Sequence, residues 1–223
     1  MSDIWPAARE AANRVESDMV VGLGTGRAAA MFVRALAQRV NDGLSIRGVP
    51  TSEKTAALAR ELSVPLTTLG DIERIDLDVD GADEVDPNLD LIKGHGGALL
   101  RERVVASIST TFVVIVGEEK LVPHLGAKMS VPVEVVPFAV PVVRARLGGL
   151  GATVELRMDG NRPFESDNGN QILDARLSRI DDPLELERRI DSIPGVVDSG
   201  LFIGMADVVL VHDDDGFREM KRA

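Results

Sequence analysis

Short apolar runs alternate with amphipathic segments through the first half of the chain. The run Phe112–Gly117 reads Phe-Val-Val-Ile-Val-Gly, a composition typical of a β-strand buried on both faces of a parallel sheet. After the apolar run Met19–Leu23, residues Ala29, Phe32 and Leu36 recur at the spacing of an amphipathic helix. Because strands and helices alternate in this way, the first half is predicted to form an α/β domain around a parallel sheet.

The pattern changes after Lys120, where prolines become frequent. The strand and helix patterns then follow the order β-α-β-β-α-β, which predicts a smaller α+β unit. The segments concerned are Val131–Val136, a helix near 142–147, Ala152–Arg157, Gln171–Ala175, a helix near 183–190, and Val196–Phe202. Asp207–Val211 is the last apolar strand, and we expect it to return to the main sheet.

The amino-acid composition disfavours several classes of binding partner and excludes cysteine-based sites. The 223 residues include 25 basic and 36 acidic side chains, a net charge of −11, so nucleic acid and anionic membrane surfaces are poor partners. The absence of cysteine excludes thiolate metal sites and a cysteine nucleophile. The N-terminus shows no leader pattern, and the longest uncharged stretch, Val104–Gly117, is shorter than the roughly 18 residues that cross a bilayer. We expect a cytoplasmic protein with no membrane partner.

A glycine-rich turn, Gly22–Arg27, joins the first strand to the first long helix. Backbone N–H groups at such a helix N-terminus bind anions, and Thr25 and Arg27 add a hydroxyl and a guanidinium for phosphate. The turn also matches the dinucleotide-binding pattern. However, the next strand ends in Pro50-Thr51-Ser52 instead of the acidic residue that a ribose requires. A nicotinamide cofactor is therefore disfavoured, and a tight turn without a ligand is the plainer alternative.

Two hydroxyl residues, Thr51 and Ser52, follow the second strand and precede a helical run at Glu53–Leu62. The simpler interpretation is that they cap this helix. The functional interpretation places their hydroxyl groups at the same carboxyl edge of the sheet as the first turn, and both interpretations can hold together.

The stretch Asp76–Arg103 combines acidic residues, a lysine and a glycine-rich loop. Its first part, Asp76–Gly81, matches the opening of an EF-hand, but Pro87 stands where the calcium loop needs a glutamate at its twelfth position. No calcium site is expected. A magnesium site built from two carboxylates remains an alternative, although a lysine and helix N-termini suffice to neutralise a phosphate, so no metal is required.

Glu102 lies in the predicted helix that follows the glycine loop. It shares a helix face with Ala98, Val105 and Ala106, so its carboxylate is presented beside apolar side chains. Such surroundings suit a general base. A solvated surface charge between Arg101 and Arg103 fits the spacing equally well.

Taken together, these motifs resemble those of the type A ribose 5-phosphate isomerases, and the resemblance is collinear over nearly the whole chain. The matching stretches are Gly22–Gly26, Thr51–Ser52, Val79–Glu84, Lys93–Leu99, Arg101–Glu102, Val131–Val135, Asp167–Asn170, Ile193–Val197 and Gly200–Phe202. The family's fold implies a Rossmann-like parallel-sheet domain, residues 1–130 and 204–223. A smaller ferredoxin-like α+β domain, residues 131–203, would be inserted before the last strand.

The resemblance also implies an activity: interconversion of ribose 5-phosphate and ribulose 5-phosphate through a cis-enediolate, in the non-oxidative pentose phosphate pathway, with no metal and no organic cofactor. Glu102 occupies the family's base position. Asp80 and Asp83 occupy positions that handle hydroxyl protons and ring opening, and Lys93 one that stabilises charge on oxygen. The implied substrate-binding positions are Gly24, Thr25, Gly26, Arg27, Ala28, Thr51, Ser52, Gly81, Ala82, Gly94, His95, Gly96, Gly97 and Lys128. Backbone N–H groups of Gly94–Gly97 are expected to form an oxyanion hole, and homodimers or homotetramers are common in the family.

Three departures from the family pattern concern substrate contacts. Arg27 and Ala28 replace the usual serine and threonine, His95 replaces a glycine, and the family's N-terminal lysine has no counterpart near Trp5. We interpret this as conserved chemistry with altered phosphate contacts.

Other functions of the same fold are alternatives: an isomerase of a different sugar phosphate, a coenzyme A transferase using a glutamate as nucleophile, or a non-catalytic sugar-phosphate sensor. The sensor is disfavoured because the segment before Met19 is too short for a helix-turn-helix.

Overall fold

The structure, a computed structural model, describes residues 4–213 and 216–222. In these ranges the helices are α1 (Pro6–Asn13), α2 (Arg27–Asn41), α3 (Glu53–Glu61), α4 (Leu99–Ser107), α5 (Val140–Gly149) and α6 (Pro183–Asp191). The strands are β1 (Val20–Leu23), β2 (Arg47–Pro50), β3 (Ile75–Gly81), β4 (Glu84–Val85), β5 (Leu91–Ile92), β6 (Ser109–Gly117), β7 (Val131–Val135), β8 (Thr153–Leu156), β9 (Met158–Asp159), β10 (Arg162–Pro163), β11 (Gln171–Arg176), β12 (Val196–Ser199), β13 (Leu201–Phe202), β14 (Val208–Asp213) and β15 (Gly216–Lys221).

The described residues divide into two compact units. The first unit holds the residues up to Gly81, Arg101–Glu119 and those from Met205 onwards, and the second holds Ala82–Leu100 and Lys120–Gly204. This division assigns residues 82–100, 120–130 and 204 to the second unit, whereas the sequence-based prediction placed them in the first domain. The domain boundaries drawn from the sequence stay a prediction.

The first unit is built on a six-stranded mixed sheet in the order β15-β14-β6-β3-β1-β2. Its neighbouring strands are parallel except for β14 and β15, which pair as an antiparallel hairpin. Every residue of β1 is buried, as expected for an apolar strand covered on both faces. Phe32 and Leu36 of α2 pack in the same core, and each contributes about 2 kcal/mol by leaving water. The predicted α/β class is confirmed.

The register of this sheet brings several predicted site segments to one edge. Leu23 at the end of β1 is level with Pro50 of β2 and with Val79 of β3. The segments that follow these strands therefore leave the sheet at its carboxyl edge, which is where ligands bind in open α/β sheets.

The second unit contains a four-stranded antiparallel sheet in the order β12-β7-β11-β8. Its elements follow the chain as β7-α5-β8-β11-α6-β12, which is the β-α-β-β-α-β series that the sequence predicts. Val133, Val143 and Ile190 lie in the apolar core between the helices and one face of this sheet. A smaller sheet, β13-β5-β4, belongs to the same unit.

Two strand predictions were wrong. Asp207–Val211 was predicted to be the last strand, but β15 follows β14, so two strands come after the second unit. Gly216–Lys221 has four exposed and two half-buried residues, so it has no buried apolar face that would indicate a strand. The single strand expected at Val196–Phe202 is divided at Gly200, where a Cβ would lie 2.2 Å from the Lys93 carbonyl oxygen.

No helix among the described residues combines the length and the apolar composition needed to cross a bilayer.

Candidate active site

Four hydroxyl groups meet where β1 and β2 end. Thr25 Oγ1 lies 2.8 Å from Thr51 Oγ1, 2.8 Å from Ser52 Oγ and 3.3 Å from Thr55 Oγ1. Thr51, Ser52 and Thr55 are buried, whereas Thr25 is partly exposed. This hydroxyl cluster (Thr25, Thr51, Ser52, Thr55) therefore fixes Thr25 at the surface of the first unit.

Ser52 fulfils both interpretations drawn from the sequence. Its Oγ accepts the N–H of Thr55 at 3.1 Å and caps α3. The same oxygen accepts from the Thr25 hydroxyl, and the Thr55 hydroxyl in turn donates to the Gly24 carbonyl at 2.9 Å. The cap of one helix and the turn after β1 are thereby joined by hydrogen bonds.

Asp80, at the end of β3, holds the same turn from the other side. Its Oδ1 accepts the N–H of Thr25 at 2.9 Å and the N–H of Gly81 at 2.7 Å, and the side chain is 1% exposed. A Cβ at Gly24 would lie 2.2 Å from Asp80 Cγ, so only glycine fits there. Ala28 lies next to Gly81, since a Cβ on Gly81 would be 3.6 Å from that of Ala28.

Arg27 is the first residue of α2, and its guanidinium is held by an aromatic stack. Gly26 is the N-cap, with a φ of 103° that favours glycine. Arg27 Cζ lies 5.1 Å from the centroid of the Trp5 ring, and Trp5 stacks on His212 with centroids 4.7 Å apart. Within the described part of the chain, the Arg27 side chain forms no hydrogen bond or ion pair. Its N–H groups can therefore bind an anion.

Glu102 lies on the inner face of α4, beside the buried residues Val105 and Ala106, and is 4% exposed. The interpretation of Glu102 as a solvated surface charge is therefore wrong. Its neighbour Arg101 points outward instead and pairs with Glu53, Nη1 to Oε1 at 2.9 Å. The structure thus presents the carboxylate of Glu102 in the surroundings that suit a base.

The second unit holds the remaining predicted residues. Lys93 is buried at the end of β5, its N–H donates to the Gly200 carbonyl at 2.8 Å, and its Nζ lies 5.5 Å from the Phe202 ring centroid. Asp83 is tied to the glycine loop (Gly94–Gly97), because its Oδ2 accepts the N–H of His95 at 3.0 Å. Ala82, partly exposed, opens this unit.

Two of the four N–H groups expected in an oxyanion hole are already engaged. The His95 N–H is donated to Asp83, and the Gly97 N–H is donated to the Gly94 carbonyl at 3.0 Å. The N–H groups of Gly94 and Gly96 have no hydrogen-bond acceptor among residues 4–213 and 216–222. Gly96 is also exposed, so its N–H is the donor best placed for a ligand.

The side chain of His95 is also held. One ring nitrogen, Nε2, lies 3.1 Å from the Ser130 carbonyl oxygen. The bulk that His95 adds in place of glycine is therefore directed toward Ser130, and the backbone of the loop keeps its N–H groups.

Lys128 lies in a loop that a buried carboxylate organises. Glu84 accepts three backbone N–H groups at 2.6 Å each: Lys128 and Met129 donate to Oε1, and Gly126 donates to Oε2. Three backbone N–H groups of this loop are thereby bound by a protein carboxylate. The Lys128 side chain is exposed, and its Nζ donates to the Leu121 carbonyl at 3.2 Å.

Sequence reasoning missed three residues of these surroundings: Thr55, Asp78 and Glu84. Thr55 follows Ser52 by three residues, the spacing at which a helix cap places its partner. Asp78 is buried and lies on the same face of β3 as Asp80, because side chains two residues apart in a strand point the same way. A Cβ at Gly22 would lie 2.3 Å from Asp78 Oδ1 and 2.8 Å from Val105 Cγ1, so Asp78 reaches toward α4.

Comparison with known proteins agrees with this geometry. The family model described as ribose 5-phosphate isomerase A (phosphoriboisomerase A) matches residues 47–216. Ribose-5-phosphate isomerase A of Pyrococcus abyssi is 46% identical over 220 residues, covering 97% of this chain and 96% of that protein. Ribose-5-phosphate isomerase A of Roseiflexus castenholzii is 50% identical over 218 residues, covering 96% and 93%.

Solved structures are similar over the same length. A D-ribose-5-phosphate isomerase in complex with phospho-erythronic acid superposes with a TM-score of 0.95 at 44% identity, covering 97% of this chain and 96% of that one. Ribose 5-phosphate isomerase A of Methanocaldococcus jannaschii superposes with a TM-score of 0.93 at 43% identity, with the same coverage.

The Rossmann-like sheet and these matches define an aldose–ketose isomerase acting on a sugar phosphate. The chain belongs to the ribose 5-phosphate isomerase A family.

Proposed function

We propose that the enzyme interconverts D-ribose 5-phosphate and D-ribulose 5-phosphate through a cis-enediolate, with Glu102 as the base that moves the proton. The observation that carries this proposal is the buried position of Glu102 on the inner face of α4. A carboxylate shielded from bulk water in largely apolar surroundings is suited to act as a general base toward a carbon-bound proton. The reaction would place the enzyme in the cytoplasm, in the non-oxidative pentose phosphate pathway.

Each step of this reaction balances in protons. Glu102 removes the C2 proton of the open-chain aldose, the C1–C2 bond becomes double, and O1 takes the negative charge. A proton then passes from O2 to O1, a transfer that we assign to Asp80 or Asp83. Glu102 returns its proton to C1, and C2 becomes the ketone carbonyl. Because one proton is removed from C2 and one is delivered to C1, the chemistry needs no oxidant and no organic cofactor.

Negative charge on the enediolate oxygens needs donors that are already in place. We assign this role to the buried Lys93 and to the N–H of Gly96, whose hydrogen is not taken by another described residue. A preorganised donor of this kind typically contributes about 3 kcal/mol to the stability of the transition state.

For the substrate phosphate we propose Thr25 and Arg27 at the start of α2, with the side chain of Lys128 as a further cation. The hydroxyl cluster fixes Thr25, and the Trp5 stack fixes Arg27. Phospho-erythronic acid, bound by the relative described above, has the phosphate and hydroxyl groups of such a substrate. Its planar carboxylate resembles the two oxygens of an enediolate.

The test is an NMR assay with ribose 5-phosphate in D₂O and EDTA, comparing wild type with Glu102→Gln. We expect wild type to form the ketose with deuterium incorporated at C1, and Glu102→Gln to lose at least ~100-fold in turnover while still binding substrate. Glu61→Gln, an exposed glutamate of α3, is the matched control and should keep full activity. Full turnover by Glu102→Gln would end its assignment as the base.

The alternative functions predict different experimental results. If the enzyme turns over another aldose phosphate and not ribose 5-phosphate, the proposed substrate is wrong, but the assignment of Glu102 as the base is unaffected. A mass increase of Glu102 after incubation with acyl-coenzyme A would indicate the transferase chemistry. Light scattering of the purified protein would test the proposed homodimer or homotetramer.

A further inference from the structure

Arg157 holds the glycine loop through two carbonyl groups. Its Nη1 donates to the carbonyl oxygen of Gly94 at 2.8 Å and to that of His95 at 3.2 Å. Asp174 of β11 fixes the guanidinium as a bidentate partner, with Nε to Oδ2 at 2.9 Å and Nη2 to Oδ1 at 2.6 Å. The Arg157 N–H also donates to the Ile172 carbonyl at 2.9 Å, so this contact is built on the sheet of the second unit.

These two contacts determine where the loop's N–H groups point. In a trans peptide unit the C=O and the N–H point in opposite directions. Holding the Gly94 carbonyl on the Arg157 side directs the His95 N–H to the other side, and the structure shows it there, donated to Asp83 at 3.0 Å. Holding the His95 carbonyl does the same for the next N–H, that of Gly96. The Gly96 N–H, which has no acceptor among the described residues, is therefore directed to the side on which the Asp83 carboxylate lies.

Arg157 also supports the far end of the loop. Phe164 lies against Gly97, where a Cβ would be 2.4 Å from the ring, and its own N–H donates to the Arg157 carbonyl at 2.9 Å. The Arg157 guanidinium carbon lies 5.9 Å from the Phe164 ring centroid. One residue thus restrains the Gly94, His95 and Gly97 peptide groups together.

We infer that Arg157 is a positioning residue for the isomerisation: it aims the Gly96 N–H at the oxygen on which enediolate charge develops. This inference rests on the proposed function, because it needs an enediolate for the N–H to stabilise. An N–H aimed at developing charge acts mainly in the transition state, so its loss lowers kcat more than it changes KM.

The experiment compares Arg157→Ala, Arg157→Lys and the control Arg162→Ala. Arg162 is exposed on β10, and its side chain has no hydrogen bond or ion pair with the described residues. We expect Arg157→Ala to lose about 10-fold or more in kcat with little change in KM, because misaligned donors lose their effect steeply. Arg157→Lys should recover part of the loss, since an ammonium can donate to both carbonyls but cannot pair bidentately with Asp174. Arg162→Ala should match wild type.

A second measurement separates positioning from folding. Inhibition by phospho-erythronate, whose carboxylate mimics the enediolate oxygens, should weaken in Arg157→Ala by about the factor lost in kcat/KM. If Arg157→Ala is unfolded by circular dichroism, the intermediate kcat of Arg157→Lys at unchanged KM decides the question. A folded Arg157→Ala with the kcat of wild type, or a loss confined to KM, would overturn the inference. Wild-type activity tests the proposed function and the variant-to-wild-type ratio tests Arg157, so the two failures are distinct.

Discussion

Arg27 stands where the resemblance leads us to expect a serine, and the structure gives its side chain a defined environment. The side chain is exposed, packs over Trp5 and has no ion-pair partner among the described residues. A guanidinium stacked on an aromatic ring loses little further side-chain entropy when it binds an anion. In the proposed phosphate site, Arg27 would therefore supply a positive charge with a fixed direction in place of the hydroxyl group expected from the resemblance.

We predict that Arg27→Ala raises KM for ribose 5-phosphate by about 10-fold or more and leaves kcat within about twofold, because phosphate is held equally in the ground and transition states. Steady-state kinetics beside Arg34→Ala, an exposed arginine later in α2, checks this. An unchanged KM would make Arg27 a bystander.

Two residues, Glu102 and Asp78, show what could not be predicted from the sequence. The spacing of Glu102 fitted a buried base and a solvated charge equally, because periodicity assigns a residue to a helix face but does not say what covers that face. Asp78 escaped notice because it appeared only as part of an imperfect calcium motif. Its burial depends on the packing of β1 and α4, which no local pattern encodes.

At the scale of elements, the loop Gly126–Met129 illustrates a segment shaped by a distant side chain. Glu84 lies on β4, more than forty residues earlier, and its two oxygens accept the three N–H groups described above. A buried carboxylate can remain in such a place because charge-assisted bonds replace its water.

Glu84→Gln should therefore destabilise the protein, because an amide nitrogen must face an N–H donor whichever way the side chain is turned. We expect a loss of about 1–3 kcal/mol in the free energy of unfolding, measured by urea titration. Glu155→Gln, exposed on β8, is the control and should change stability by less than about 0.5 kcal/mol. An equal effect of both substitutions would show that the three bonds carry no net stability.

The helices and strands were predicted well where burial gives the apolar residues a regular pattern along the sequence. The strands and helices of the parallel sheet and of the β-α-β-β-α-β series follow from apolar runs and helical spacing. The strand β15 was missed because an edge strand with little buried surface carries no such period. The break at Gly200 was missed because it results from a close approach to Lys93, a contact that is distant in sequence.

At the scale of the whole molecule, stability should depend on pH through two carboxyl groups of opposite behaviour. Burial, and to a lesser degree the nearby charge of Asp90, raises the pKa of Asp86 despite hydrogen bonds from the backbone of Asp90 and Asn88. Hydrogen bonds from Lys221 and Arg14 lower the pKa of Glu219. When folding raises the pKa of a carboxyl group, the folded state loses stability as pH rises from the unfolded-state pKa through the folded-state pKa. When folding lowers the pKa, the folded state loses stability as pH falls from the unfolded-state pKa through the folded-state pKa.

Asp86→Asn should therefore gain stability relative to wild type as pH rises from below the unfolded-state value of about 3.9 toward neutrality. The asparagine oxygen can still accept the N–H groups of Asn88 and Asp90, so the main change is the loss of the buried charge. Glu219→Gln should show the opposite and smaller trend, because Glu219 is partly solvated. Urea unfolding at several pH values measures both, and parallel curves for Asp86→Asn and wild type would contradict the first.

The stack at the N-terminus has a use beyond substrate binding. Trp5 is the one tryptophan in the chain, and it contacts both Arg27 and His212. Indole emission responds to the charge and packing of its immediate neighbours, so the protein carries a built-in fluorophore beside the proposed phosphate contact. In Glu102→Gln, where substrate binds without reacting, the emission of this single ring would report occupancy without any attached dye. Equilibrium binding of unmodified sugar phosphates could then be followed by the fluorescence of Trp5.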